Sequence, residues 1–215
     1  SIAPTGTATA SVGTGLNLTV NSLTLGGLGR INGTWGGTTS GATNINTTYF
    51  AATTGKLTVT NDTRATPTAT LSVNNSPITY DGTPKAATVI VSVSSVPGAQ
   101  SNILTGGSAT QTNAGTYATT ANFVPTDTTS YTSLTGLAAG NFVINKANST
   151  TLVTCPAAPQ TYTGLAQTPC TATVTGAGGL SITPTPSHSA NTDVGTASAT
   201  YTYAGDSNHN GSTDT

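Results

Sequence analysis

The sequence has very little charge. Only 5% of its 215 residues are Asp, Glu, Lys or Arg, against about 25% in an average soluble domain, and the formal net charge is −1. The basic residues Arg30, Lys56, Arg64, Lys85 and Lys146 are scattered. Nucleic acid and anionic membranes both need clustered Lys and Arg, so neither is expected as a partner. Glutamate and methionine are absent, other strong helix formers are sparse, and no apolar 3.6-residue period persists, which argues against a helical fold. No apolar run approaches the roughly 18–20 residues that span a bilayer, so membrane insertion is not expected. The start, Ser1-Ile2-Ala3-Pro4, lacks a basic region and an apolar signal core and reads as a mature, processed product.

What is present is Thr, Ser, Asn and Gly. Branched Thr suits strands, and its hydroxyl keeps an exposed face wet. Short alternating runs such as Leu16-Asn17-Leu18-Thr19-Val20, Lys56-Leu57-Thr58-Val59-Thr60, Ala87–Val93 and Thr171-Ala172-Thr173-Val174 are bounded by Gly, Asn, Pro or Ser, as strand ends are. The chain is therefore expected to be all β.

The last two-thirds reads as one unit written twice. Ile78-Thr79-Tyr80-Asp81-Gly82 returns as Gln160-Thr161-Tyr162-Thr163-Gly164, and Thr112-Asn113-Ala114-Gly115-Thr116-Tyr117 returns as Thr192-Asp193-Val194-Gly195-Thr196-Ala197. The first copy runs on through Phe142-Val143-Ile144-Asn145-Lys146-Ala147, for which the second has no match, so its last strand is expected to be missing. Boundaries near Ala65 and Ala147 divide the chain into an N-terminal β unit (1–64), a first repeat (65–147) and a second repeat (148–215). In the N-terminal unit Trp35, Tyr49 and Phe50 are the expected core, because large rings supply much apolar area in a small domain. The two cysteines, Cys155 and Cys170, flank the Tyr162-Thr163-Gly164 turn and are read as a structural disulfide, which points to an oxidising, extracellular compartment.

In register, Tyr80-Asp81-Gly82, Asn113–Tyr117, Phe123-Val124-Pro125 with Asp127 and Tyr131, and Phe142–Ala147, together with Tyr162-Thr163-Gly164, Val194-Gly195-Thr196 and Ala204-Gly205-Asp206, resemble the MBG-type immunoglobulin-like repeats, marked by a Tyr-x-Gly motif, of large bacterial surface and secreted proteins. The resemblance covers residues 66–215. It implies tandem immunoglobulin-like β-sandwiches, here preceded by the small β domain, and an extracellular structural or adhesive role without catalysis.

Little else in the chain carries chemistry. Asp206-Ser207-Asn208-His209-Asn210-Gly211 matches the first half of a calcium loop but lacks the bidentate Glu, so a tight turn is expected and no metal site. His188 and His209 are the only imidazoles, and neither has a metal spacing with the cysteines. Hydroxyls are so frequent that one near a histidine carries no information about a catalytic triad, and no enzyme activity or cofactor is expected. A sandwich short of a strand exposes an apolar groove and unpaired backbone groups that invite a strand from another chain. The leader alternates small apolar residues with Thr and Ser, and Ile2, Ala8, Ala10 and Val12 form a candidate polymerisation strand. The expected function is a structural subunit of an extracellular bacterial filament or sheath, assembled head to tail from copies of itself by strand donation. The alternatives are a stalk or glycan-binding module of an adhesin, with a surface glycan as partner, and a segment of a larger secreted repeat protein.

Overall fold

The computed structural model describes residues 9–215. They form strands and turns, with no α-helix among the described residues and a single 3-10 turn at Ala177–Gly179. The strands are β1 (Asn17–Val20), β2 (Thr24–Leu25), β3 (Leu28–Gly29), β4 (Gly33–Gly36), β5 (Asn44–Ile45), β6 (Lys56–Val59), β7 (Ala69–Val73), β8 (Ile78–Thr79) and β9 (Val89–Ser94). The remainder are β10 (Gly98–Thr105), β11 (Gly115–Pro125), β12 (Leu134–Asn145), β13 (Ser149–Thr154), β14 (Thr171–Gly176), β15 (Leu180–Ile182), β16 (Ser187–Ser189), β17 (Ser198–Tyr203) and β18 (Ser212–Asp214). The chain is thus all β, in several sheets. The described residues fall into two compact units: 9–72 with Val89–Ile103 and Thr120–Ala139, and Val73–Thr88 with Leu104–Thr119 and Gly140–Thr215. The middle third of the sequence contributes to both.

In the first unit a four-stranded sheet runs in the order β1-β6-β4-β5, and β2 and β3 make a separate hairpin. Its core gathers Val12, Leu23, Leu25, Trp35, Phe50 and Val59, with Ala10, Val20, Ile31, Tyr49 and Leu57 packed against them. Trp35 is 2% exposed, and its indole N–H donates to the Ile31 carbonyl at 3.0 Å, so the polar edge of the ring is satisfied where it is buried. The Arg30 guanidinium lies 6.0 Å from the Trp35 ring centroid and donates to the Leu25 carbonyl at 2.8 Å and to Ser130 Oγ.

In the second unit one sheet runs β13-β14-β15 and another β16-β17-β18. Strand β14 shows the period of two: Ala172 and Val174 are buried and the threonines between them exposed. Strand β12 lies between β11 and β8, parallel to β8 with Ile144 opposite Ile78 and Asn145 opposite Thr79. Its alternation slips by one residue after Ala139, at Gly140, whose φ of +96° a glycine adopts without strain. That slip turns Phe142 and Ile144 inward, and both are almost fully buried.

Candidate strand-accepting site

The two sequence copies share one backbone hydrogen bond at counterpart positions. In the first, the Lys85 N–H donates to the Gln111 carbonyl and the Gln111 N–H returns the bond, each at 2.8 Å; in the second, the counterpart Gln167 N–H donates to the Asn191 carbonyl at 2.9 Å. Counterpart positions can therefore be compared directly on either side of that bond.

In the first copy the end of β12 is clamped on both edges. The Tyr80 N–H donates to the Asn145 carbonyl at 2.9 Å, and the Val143 N–H donates to Ser76 Oγ at 2.8 Å. Gly115–Thr119, the beginning of β11, lines the other edge. The second copy has the two walls and no strand between them. Pro159, Gln160 and Tyr162 on one side and Val194–Ser198 on the other line an open groove of about 600 Å³. A strand exists only with a partner, and the ladder fails on both walls: Gln160–Thr161, the counterpart of β8, is not a strand, and β17 begins only at Ser198 where β11 begins at Gly115, the counterpart of Gly195. Exposure changes in parallel. Tyr162 is 59% and Val194 85% exposed, whereas their counterparts Tyr80 and Ala114 are half-buried.

Two polar features belong to the groove. His188 lines it, with Nδ1 3.1 Å from the Pro186 carbonyl. Because a carbonyl only accepts, Nδ1 donates there, and Nε2 is buried without a partner. The Cys155–Cys170 disulfide closes the Tyr162 wall, with 4.2 Å between Cα atoms, and both cysteines border the groove.

The first copy escapes exposure at Tyr80 and Ala114 because a loop of the second covers it. The Tyr80 ring meets the His209 ring edge-on, at 5.3 Å between centroids. The Ala114 N–H donates to Asn208 Oδ1 at 2.8 Å, and Ala147 pairs with the loop backbone through Asn208 O at 2.9 Å and Asn210 N at 2.8 Å. Asp206 shapes this loop by accepting from the backbone N–H groups of Asn208 and His209, each at 2.7 Å, so it holds a tight turn. The Lys146 ammonium donates to the Asp206 carbonyl. The first unit contains a joint of the same build: Ala65 pairs with the 127–131 loop through Ser130 O at 2.9 Å and Thr132 N at 3.0 Å, Arg64 donates to the Thr128 carbonyl at 2.9 Å, and Asp127 accepts from the Thr129 and Ser130 N–H groups.

His209 is the buried polar centre of its joint. Nδ1 lies 2.9 Å from Asp206 Oδ1 and Nε2 lies 2.8 Å from the Ala177 carbonyl, and both are acceptors, so only the doubly protonated ring satisfies both. Burial alone lowers its pKa, but the Ala177 carbonyl and the Asp206 carboxylate outweigh it and the net shift is upward. Asp206 is held well below the usual carboxylate range, first by the His209 ring and then by the Asn208 N–H.

Of the candidate polymerisation residues, Ile2 and Ala8 lie outside the described residues. Ala10 and Val12 are held in the first unit: the Ala10 N–H donates to the Tyr49 carbonyl at 2.8 Å, the Ala51 N–H donates to the Ala10 carbonyl at 2.9 Å, and Val12 is 7% exposed within the core. A leader strand that leaves its own chain therefore consists of residues before Ala10 or gives up these contacts. The sequence alone marked Ala158 not at all, His188 only as a candidate metal or triad residue, and Val194 only as part of the repeat motif. Their signal was the repeat itself, because each departs in kind from its counterpart or its setting in the first copy. No protein-family model matches the chain, and neither a curated protein nor a solved structure matches it. No helix among the described residues is long and apolar enough to cross a membrane.

Proposed function

We propose that this chain is a structural subunit of an extracellular filament or sheath, joined to its neighbour by a β-strand laid into the groove of the second copy. The observation that carries this reading is the groove itself: two walls whose counterparts in the first copy clamp Val143–Asn145 stand open, with their strand structure lost and Tyr162 and Val194 exposed. Strand addition satisfies the free backbone groups of both walls and covers the apolar lining at once. The disulfide fits an oxidising compartment outside the cytoplasm. Low charge of either sign leaves little long-range repulsion between neighbours.

A stalk segment of a larger secreted repeat protein, its groove filled by a strand of the same polypeptide, is the second reading, favoured by the joints of like build at Ala65 and Ala147. A glycan-binding module gains no support from Trp35 and Phe50, which are core residues and offer no sugar platform. The test is negative-stain electron microscopy of the chain at micromolar concentration beside Thr196→Pro, which removes a wall N–H from an exposed segment. Filaments from the parent and dispersed particles from the variant are expected. Filaments from both would reject assembly through this groove.

A further inference from the structure

We infer that the strand accepted by the groove of the second copy carries a large aromatic and a branched aliphatic residue two positions apart, followed by Asn, in the pattern of Phe142-Val143-Ile144-Asn145. The inference rests on the strand-accepting role proposed above and sets its ligand.

Three observations carry it. First, the filled counterpart is in the same chain. Phe142 is 0% and Ile144 2% exposed there, so the two inward positions of this slot are occupied by large side chains, and the vacant groove offers about 600 Å³. Small residues at those positions would leave voids without partner atoms.

Second, the walls set direction and register. In the first copy the strand runs parallel to β8, with Ile144 beside Ile78 and Asn145 beside Thr79. The incoming aliphatic residue therefore lies beside Gln160 and the Asn beside Thr161, with its carbonyl accepting from the Tyr162 N–H as Asn145 does from Tyr80. A shift by one residue would turn both large side chains to solvent.

Third, the polar partners differ in a way that can be read out. Ser76 Oγ, which accepts the Val143 N–H, is replaced in the second copy by Ala158, a groove residue without a hydroxyl. The orphan Nε2 of His188 is buried on this groove without a partner, and a polar group of the occupant would satisfy it. The leader meets these demands poorly: its residues from Thr5 to Ala10 are small, and Pro4 stands two positions after Ile2, where a central strand needs an N–H. The groove therefore prefers a strand with this aromatic-x-aliphatic pattern over the small residues of the leader.

The test is calorimetric titration of the full chain with three peptides: residues 138–147, the same peptide with Phe142→Ala and Ile144→Ala, and residues 1–12. The 138–147 peptide is expected to bind one to one and at least about 100-fold more tightly than the other two, the loss that vacating two large apolar sites implies. Ala158→Ser in the chain restores the missing acceptor and is expected to tighten that peptide by about 2–10-fold. Thr196→Pro, with its circular dichroism spectrum unchanged, is expected to abolish binding. Equal binding of the doubly substituted or leader peptide, still blocked by Thr196→Pro, would overturn the selectivity and leave strand acceptance standing. No binding by any peptide, or binding indifferent to Thr196→Pro, would overturn both.

Discussion

Trp35 shows how a chain with so few aromatics builds a core. One ring, 2% exposed, stands among Leu23, Leu25, Phe50 and Val59 and beneath a buried arginine. Trp35→Ala is expected to cost about 3–5 kcal/mol, because the cavity adds to the lost transfer energy. Urea unfolding followed by far-ultraviolet circular dichroism measures this, since Trp35 is the sole tryptophan. Gly178 tests close approach. Its φ is +62°, and a Cβ there would stand 2.4 Å from Tyr80 Oη, whereas Gly179, at φ +84°, has nothing within 4 Å of the same position. Gly178→Ala is expected to destabilise the second unit by about 1–3 kcal/mol through overpacking in addition to backbone strain. Gly179→Ala, with strain alone, is expected to cost less in the same denaturation experiment.

At the scale of elements, the loop from Asp206 to Asn210 couples stability to pH. The folded pKa of His209 is raised above its ordinary 6.5, so its contribution is fully present below that value and is lost as pH rises through the folded pKa. The pKa of Asp206 is lowered from 3.8, so its contribution is present above that value and is lost as pH falls through the folded one. The groups around the ring are the Asp206 carboxylate, the Ala177 carbonyl, the Tyr80 ring, and the Tyr203 hydroxyl and Lys146 ammonium that both reach Asp206. Thermal melts are expected to show a higher midpoint at pH 5.5 than at pH 8.5, with the difference much reduced in His209→Gln. A midpoint that rises with pH in the parent would contradict this account.

How much of this was legible beforehand depends on range. The alternation in β14 follows from Thr171-Ala172-Thr173-Val174, because it is a local signal. The slip at Gly140 was hidden, since Ala139 and Phe142 break the period of two and only a positive φ reconciles them. The role of His209 was hidden too, because Ala177 and Tyr80 reach it from distant parts of the chain. The leader shows the limit from the other side. Ala10 and Val12 have the period of a strand, but period alone does not say which surface a strand covers, and these two residues lie against their own unit.

For the whole molecule, the repeat supplies its own reference. The first copy holds a strand between β8 and β11, and the second presents the same walls around an open groove. The proposed role as an assembling subunit follows if a neighbour completes the second copy as Phe142–Asn145 completes the first. The most direct measurement is amide hydrogen exchange across a concentration series spanning the onset of assembly. In the dilute chain, Tyr80 and Val143, whose N–H groups are bonded, are expected to exchange slowly, and 160–162 and 194–197 quickly. On assembly the latter two segments are expected to become protected together. Exchange at 160–162 and 194–197 that stays fast in assembled material, or is already slow in the dilute chain, would contradict the claim that a neighbour's strand fills this groove.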